Sequence, residues 1–70
     1  MTITVNGHEH TIEAATTVAQ VVRLLLDEAG TSTKGAAVAL NEHVVPRGRW
    51  ESVTVADGDR LEVLAAVAGG

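Results

Sequence analysis

The chain of 70 residues contains no cysteine, phenylalanine or tyrosine, and only one tryptophan and one proline. Without cysteine it cannot form a disulfide, a thiolate zinc site or a cysteine-ligated iron–sulfur cluster. An aliphatic core therefore has to hold the fold, and 46% of the residues are hydrophobic. A chain this short is close to the lower limit for independent folding and has little room for an enclosed cleft. We expect a single domain over residues 1–70.

Basic residues are also scarce. Five Lys and Arg are scattered among nine Asp and Glu, which gives a formal net charge of −4. A nucleic-acid binder needs a basic patch, often with aromatic stacking platforms, so no nucleic-acid partner is expected. The apolar runs are too short to span a bilayer, and Met1 is followed directly by a strand pattern without a signal segment. We therefore expect a cytoplasmic protein without a membrane partner.

The first half of the chain predicts a hairpin. Apolar and polar residues alternate over residues 2–6, which is the period of a half-buried strand. Asn6-Gly7 follows and is a strong signal for a two-residue hairpin turn. A second strand over residues 8–13, with Ile12 inward, is expected to pair with the first.

An amphipathic helix is predicted next. Thr17 and Gln20 have the spacing of a capping box, in which the two side chains satisfy free backbone donors. Gly30 is placed where a helix C-terminal glycine belongs. The predicted apolar stripe comprises Val18, Val21, Val22, Leu25 and Ala29.

The second half predicts three further strands joined by turns. The strands are predicted over 36–40, over 44–45, where Pro46 closes the strand, and over 60–67. A turn at 41–42 joins the first two, and a connecting segment over 50–56 and a turn at 57–59 lead to the last. The order β-β-α-β-β-β predicts an α+β fold with a mixed sheet of about five strands and one helix on one face. This is the β-grasp arrangement, in which the last strand runs beside the first.

Alternation along the last strand separates its residues into two groups. One group, predicted to pack against the helix, is Leu61, Val63, Ala65 and Val67. The other group, a candidate partner-binding face, is Arg60, Glu62, Leu64 and Ala66. The alternative for Leu64 is ordinary exposure, since single exposed leucines are common.

The sequence ends in Gly69-Gly70. Glycine has no Cβ and no preferred sign of φ, so this pair can enter a narrow channel and present its carboxylate to another protein. The residues from Ala68 onward, expected to be a flexible tail, reach roughly 10 Å when extended. The alternative is a frayed terminus without a function.

Several motifs resemble those of a known family, the ThiS-like sulfur carriers of thiamin biosynthesis, which are ubiquitin-like β-grasp proteins. The matching motifs are Val44-Val45-Pro46-Arg47 with Trp50, then Asp57-Gly58-Asp59, then Ala68-Gly69-Gly70.

The resemblance implies that the chain is a carrier and not an enzyme. An activating enzyme, similar to ubiquitin-activating enzymes, would adenylate the Gly70 carboxylate with ATP, while Ala68 and Gly69 lie in that enzyme's channel. Sulfur from a donor such as a cysteine desulfurase would convert Gly70 to a thiocarboxylate, and thiazole synthase would take the sulfur. The chain itself would bind no cofactor and no metal.

Other functions remain open from the residues alone. The chain could carry sulfur for molybdopterin, cysteine or tRNA thiolation, although molybdopterin carriers tend to have aromatic residues where residues 64–67 are aliphatic. It could also be a ubiquitin-like protein modifier or a passive interaction module.

The remaining polar candidates have simpler interpretations. His8 and His10 share a strand face, but two imidazoles are too few for a metal site. Arg47 and Arg49 could contact an acidic partner, although such residues are more often solvated. Trp50 is expected to pack in the core, and the acidic residues of the 57–59 turn are expected to be turn formers.

Overall fold

The computed structural model describes residues 1–28 and 35–64, with side chains for 1–26 and 35–64. The elements in chain order are β1 (Thr2–Val5), β2 (His8–Thr11), α1 (Val18–Glu28), β3 (Ala37–Leu40), β4 (His43–Val45), a 3-10 helix (Arg47–Arg49) and β5 (Arg60–Leu64). The five strands form one sheet in the order β2-β1-β5-β3-β4. β1 and β5 are parallel neighbours, while the other pairs are antiparallel. The predicted element order and mixed β-grasp sheet are confirmed.

The first hairpin forms at the predicted turn. Asn6 and Gly7 have φ values of 50° and 83°, as a type I′ turn requires. β2 ends at Thr11 rather than at residue 13, although backbone hydrogen bonds between the two arms of the hairpin continue for one more residue pair, Met1 and Ile12. The Met1 amine donates to the Ile12 carbonyl at 2.9 Å, and the Ile12 N–H donates to the Met1 carbonyl at 2.8 Å.

The capping box at the start of α1 is confirmed. The Gln20 N–H donates to Thr17 Oγ1 at 3.2 Å, and the Thr17 N–H donates to Gln20 Oε1 at 2.9 Å. The next free donors, the N–H groups of Val18 and Ala19, bond to carbonyls of the 50–53 segment. This segment therefore caps the helix and fixes its position.

The helix buries most of its predicted stripe. Val18, Val21 and Val22 are buried as expected, whereas Leu25 is half-buried and Leu26 takes the deeper position. The predictions for Ala29, Gly30 and residues 65–67 lie outside the described residues.

The second hairpin turns at Asn41 and Glu42, whose φ values are 49° and 72°. It joins β3 to β4, which is an edge of the sheet, as Pro46 indicated. The 50–56 segment forms no strand, although Thr54 makes an isolated bridge to Thr17.

The core lies between one face of the sheet and α1. Trp50 is buried as predicted, and its Nε1–H donates to the Val45 carbonyl at 2.9 Å. Within the described parts of the chain, no helix combines the length and the apolar character needed to cross a membrane. The buried residues are Ile3, Val5, Val18, Ala19, Val21, Val22, Leu26, Val38, Val45, Trp50, Val55, Leu61 and Val63.

Candidate partner-binding face

The two faces of β5 differ as the alternation predicted. Leu61 and Val63 are buried on the helix side of the sheet. Arg60, Glu62 and Leu64 are exposed on the opposite side, which we call the open face. Leu64 is 71% exposed, and its strand is the central one of the five.

Strand register brings further apolar residues beside Leu64. Directly paired residues of neighbouring strands project from the same face. Leu64 pairs with Ala37, and Ala39 pairs with Val44 on the other side of β3. Val44 is 78% exposed. These four residues, Val44, Ala39, Ala37 and Leu64, form one contiguous strip that we call the apolar patch.

The contribution of β3 and β4 to this patch was missed from the sequence. The sequence predicted a short strand over 44–45 without assigning its faces, and the structure buries Val45 and exposes Val44. Nothing local indicated that Val44 would share a surface with Leu64, because this depends on β3 lying between β4 and β5.

The charged residues of the predicted face, Arg60 and Glu62, lie on one side of the patch and form what we call its rim. Glu62 pairs with Ala39 across the β3–β5 ladder, and Arg60 pairs with Thr4 across the β1–β5 ladder. Beyond them the open face is polar, since Thr4 in turn pairs with Glu9. The patch is therefore an apolar area next to charge, the composition typical of a protein-binding surface.

The acidic residues of the 57–59 turn have the structural role expected of them. Asp57 Oδ1 accepts the Thr2 N–H at 2.8 Å, and Asp59 Oδ2 accepts the Ala56 N–H at 2.7 Å. Asp59 therefore closes the turn that precedes β5, and Asp57 connects this turn to the start of β1.

The patch adjoins the segment that carries the predicted reactive group. Leu64 belongs to the patch and is the last described residue, and Gly70 follows six residues later. Such a segment can reach at most about 20 Å. The other predicted residues of the tail and face, Ala66, Ala68, Gly69 and Gly70, lie outside the described residues.

The remaining candidates lie away from the open face. His8 and His10 share a face as predicted, because they pair with the buried Val5 and Ile3. His10 and the exposed Leu24 line a groove of about 440 Å³ between β2 and α1, on the helix side. Searched over the described residues, the chain contains no group of three His, Cys, Asp or Glu that could hold a metal ion.

The two arginines of the 3-10 helix are both exposed. The guanidinium of Arg47 lies 5.1 Å from the centre of the Trp50 ring, within cation–π range. A structural contact therefore accounts for the position of Arg47, while partner binding by these residues stays a prediction.

Comparisons with known proteins cover nearly the whole chain. The model of the ThiS family matches residues 3–70. The sulfur carrier protein ThiS of Escherichia coli is 39% identical over 51 residues, which are 73% of this chain and 77% of that protein. A thiazole synthase of Paramagnetospirillum magneticum is 37% identical over 70 residues. The similar region covers 100% of this chain and only 20% of the length of that relative.

Solved structures agree with the family match. The crystal structure of the thiamine biosynthesis protein ThiS from Geobacter metallireducens has a TM-score of 0.70 and 33% identity, covering 100% of both chains. A solution structure of a thiamine biosynthesis protein from the same organism has a TM-score of 0.67, covering 100% of this chain and 88% of the other. The chain therefore belongs to the ThiS family, the sulfur carrier proteins of thiamin biosynthesis.

Proposed function

We propose that this protein carries sulfur to the forming thiazole of thiamin on its C-terminal residue, Gly70. The observation that carries the proposal is the family match, which extends to Gly70 at the end of the chain. The chain contributes the group that is modified, and the catalytic groups belong to the proteins that act on it.

The chemistry of a free carboxylate explains why an activating enzyme is needed. An α-carboxyl group has a pKa of about 3.5, so it is ionised at neutral pH and is a poor electrophile. Adenylation with ATP releases pyrophosphate and converts Gly70 to an acyl adenylate. The outer sulfur of a persulfide then displaces AMP and forms an acyl disulfide. A thiol reductant cleaves this disulfide and leaves the thiocarboxylate, so the net change is one carboxylate oxygen replaced by sulfur.

The open face supports a docking role in this cycle. We infer that the activating enzyme covers the apolar patch and the Arg60–Glu62 rim while Ala68 and Gly69 pass into its channel. Leu64 and Val44 are mostly exposed in the free chain, so covering them removes apolar area from water. Because Gly70 follows Leu64 by only six residues, docking on this face also brings Gly70 close to the enzyme. Ala66 is proposed to extend the same face.

Thiazole synthase is the proposed acceptor of the sulfur. A region similar to the whole of this chain occurs within a relative named thiazole synthase. The occurrence of such a region in a protein of that name supports thiazole synthase as the acceptor. We further propose a cysteine desulfurase as sulfur donor, ATP as a substrate of the activating enzyme alone, and a cytoplasmic location.

Intact-mass spectrometry tests the proposal directly. The protein is incubated with an activating enzyme of the ubiquitin-activating type, ATP, a persulfide donor and a thiol reductant. Its mass is expected to rise by the difference between sulfur and oxygen, and fragmentation is expected to place the change on Gly70. A variant lacking Gly70 is the matched control and is expected to keep its mass. An unchanged mass for the full chain, with a competent enzyme present, would contradict the proposal.

A growth experiment identifies the pathway. Expressed in a thiamin auxotroph that lacks its own carrier, the protein is expected to restore growth without thiamin. Restoration of molybdopterin synthesis, cysteine synthesis or tRNA thiolation alone would assign it to another sulfur pathway. Isopeptide linkage of Gly70 to lysines would identify a protein modifier.

A further inference from the structure

The side chain of Asn6 extends the β1–β5 ladder past the end of β1. β1 ends at Val5, which pairs with Leu61, whereas β5 continues to Leu64. Asn6 Oδ1 accepts the Val63 N–H at 2.9 Å, and Asn6 Nδ2 donates to the Val63 carbonyl at 3.1 Å. The carboxamide has the same donor and acceptor as a peptide group, so it replaces the missing next residue of β1.

The turn holds the Asn6 side chain in place. Asn6 is the first residue of the type I′ turn, with φ of 50°, a conformation that Asn, Asp and Gly tolerate best. Its own N–H donates to the Leu61 carbonyl at 2.9 Å. Three hydrogen bonds therefore join Asn6 to Leu61 and Val63, the residues of β5 whose backbone groups point toward β1 at this end of the strand.

The other asparagine turn holds the opposite end of the same strand. Asn41 has φ of 49°. Its Oδ1 accepts the Arg60 N–H at 2.9 Å, and its own N–H donates to the Arg60 carbonyl at 2.8 Å. Asn41 Nδ2 donates to Asp59 Oδ1 at 3.0 Å. β5 is thus held at its start by Asn41 and at its end by Asn6.

We propose that Asn6 is a positioning residue for the reactive C-terminus. By holding Val63 on the β1 side, it sets the direction in which the chain leaves the sheet after Leu64 and continues to Gly70. Without the carboxamide, both polar backbone groups of Val63 lose their protein partner, and the end of β5 is held from the β3 side alone, by the Ala37–Leu64 pairing. This inference rests on the proposed function, since it concerns how Gly70 is presented.

The consequence concerns the chemical step more than docking. Asn6 does not belong to the apolar patch or its rim, and Leu64 keeps its pairing with Ala37, so the docking surface stays in place when the carboxamide is lost. The Gly70 carboxylate must still reach the α-phosphate of ATP in the activating enzyme with the correct orientation. A displacement of about 1 Å can cost up to a hundredfold in rate. We therefore expect a loss of kcat with little change in KM.

The test compares Asn6→Gly with Asn41→Gly as substrates of the activating enzyme. Glycine keeps the positive φ at both turns, so each change removes side-chain hydrogen bonds to the start or end of β5 without straining the turn. The assay measures pyrophosphate release against carrier concentration, at a temperature where circular dichroism shows both variants folded. Asn6→Gly is expected to lower kcat about tenfold or more with KM within about twofold, whereas Asn41→Gly keeps kcat within about twofold.

A second variant covers the case in which Asn6→Gly does not fold. Asn6→Asp keeps the shape and the acceptor but places an oxygen against the Val63 carbonyl in place of the donor. Asn6→Asp is therefore expected to lower kcat, as Asn6→Gly does. Equal kcat losses for the Asn6 and Asn41 variants, or a normal kcat for folded Asn6 variants, would overturn the inference.

A measurement on the free protein separates this inference from the proposed function. Residual dipolar couplings of residues 64–67 are expected to change in Asn6→Gly and to stay as in the wild type in Asn41→Gly. Unchanged couplings in a folded Asn6→Gly variant would refute the positioning role. If the wild-type chain is not adenylated at all, the proposed function fails, and the couplings still decide the role of Asn6.

Discussion

Replacing Leu64 with alanine separates docking from folding. Leu64 is 71% exposed in the free protein, so its side chain contributes little to the core. We expect the free energy of unfolding to change by no more than about 0.5 kcal/mol, as for other surface substitutions. In the proposed complex the same side chain is covered, and its loss is expected to weaken binding.

The size of this effect follows from the exposed area. Burying a whole leucine side chain contributes about 1.5–3 kcal/mol. Since 71% of Leu64 is available to be covered, and alanine retains part of that area, we expect a loss of about 1–2 kcal/mol. This corresponds to a Kd for the activating enzyme that is about five- to thirtyfold higher.

Isothermal titration calorimetry with the activating enzyme measures this change, and Leu24→Ala is the matched control. Leu24 is 64% exposed but lies on α1, beside the groove on the helix side. Its replacement is expected to leave Kd unchanged. An unchanged Kd for Leu64→Ala, or equal weakening by both changes, would refute docking on the open face. Leu64→Ala is also expected to raise KM at constant kcat, the opposite of Asn6→Gly.

Two further changes test how the fold is held. Trp50→Phe removes the donor to the buried Val45 carbonyl, so we expect a loss of about 1–3 kcal/mol, and a Tm lower by at least about 4 °C, in thermal unfolding followed by circular dichroism. A Tm equal to that of the wild type would show that this hydrogen bond adds no net stability. Thr17→Ala removes the acceptor for the Gln20 N–H and is expected to cost about 1 kcal/mol in urea unfolding. A wild-type urea midpoint with an unchanged m-value would contradict a stabilising capping box.

The elements that were predicted correctly have local causes. A type I′ turn requires positive φ at two residues, so Asn6-Gly7 identified the first hairpin. The capping box depends on two residues three positions apart, and it formed as predicted. The two faces of β5 follow from a period of two residues, which any strand must obey. The family motifs added the carrier function, which the family match bears out.

The parts that were missed depend on which strands lie side by side. The predicted helical stripe contained Leu25 and omitted Leu26, although Leu26 lies deeper, because the sheet decides which side of the helix it covers. Val44 joins the patch only because β3 separates its strand from β5. The hydrogen bonds between the Asn6 side chain and Val63 were also missed. The sequence identified Asn6 only as a turn residue, and Val63 lies 57 positions away.

The amino-acid sequence by itself determined the strands, the helix start, the turns and the membership of a carrier family, because each rests on short-range geometry or a contiguous motif. Tertiary structure alone decided which exposed side chains share a surface and how the last strand is held at both ends. The physical reason is that these contacts join residues far apart in the chain, and their hydrogen bonds form only after the strand order and register are set.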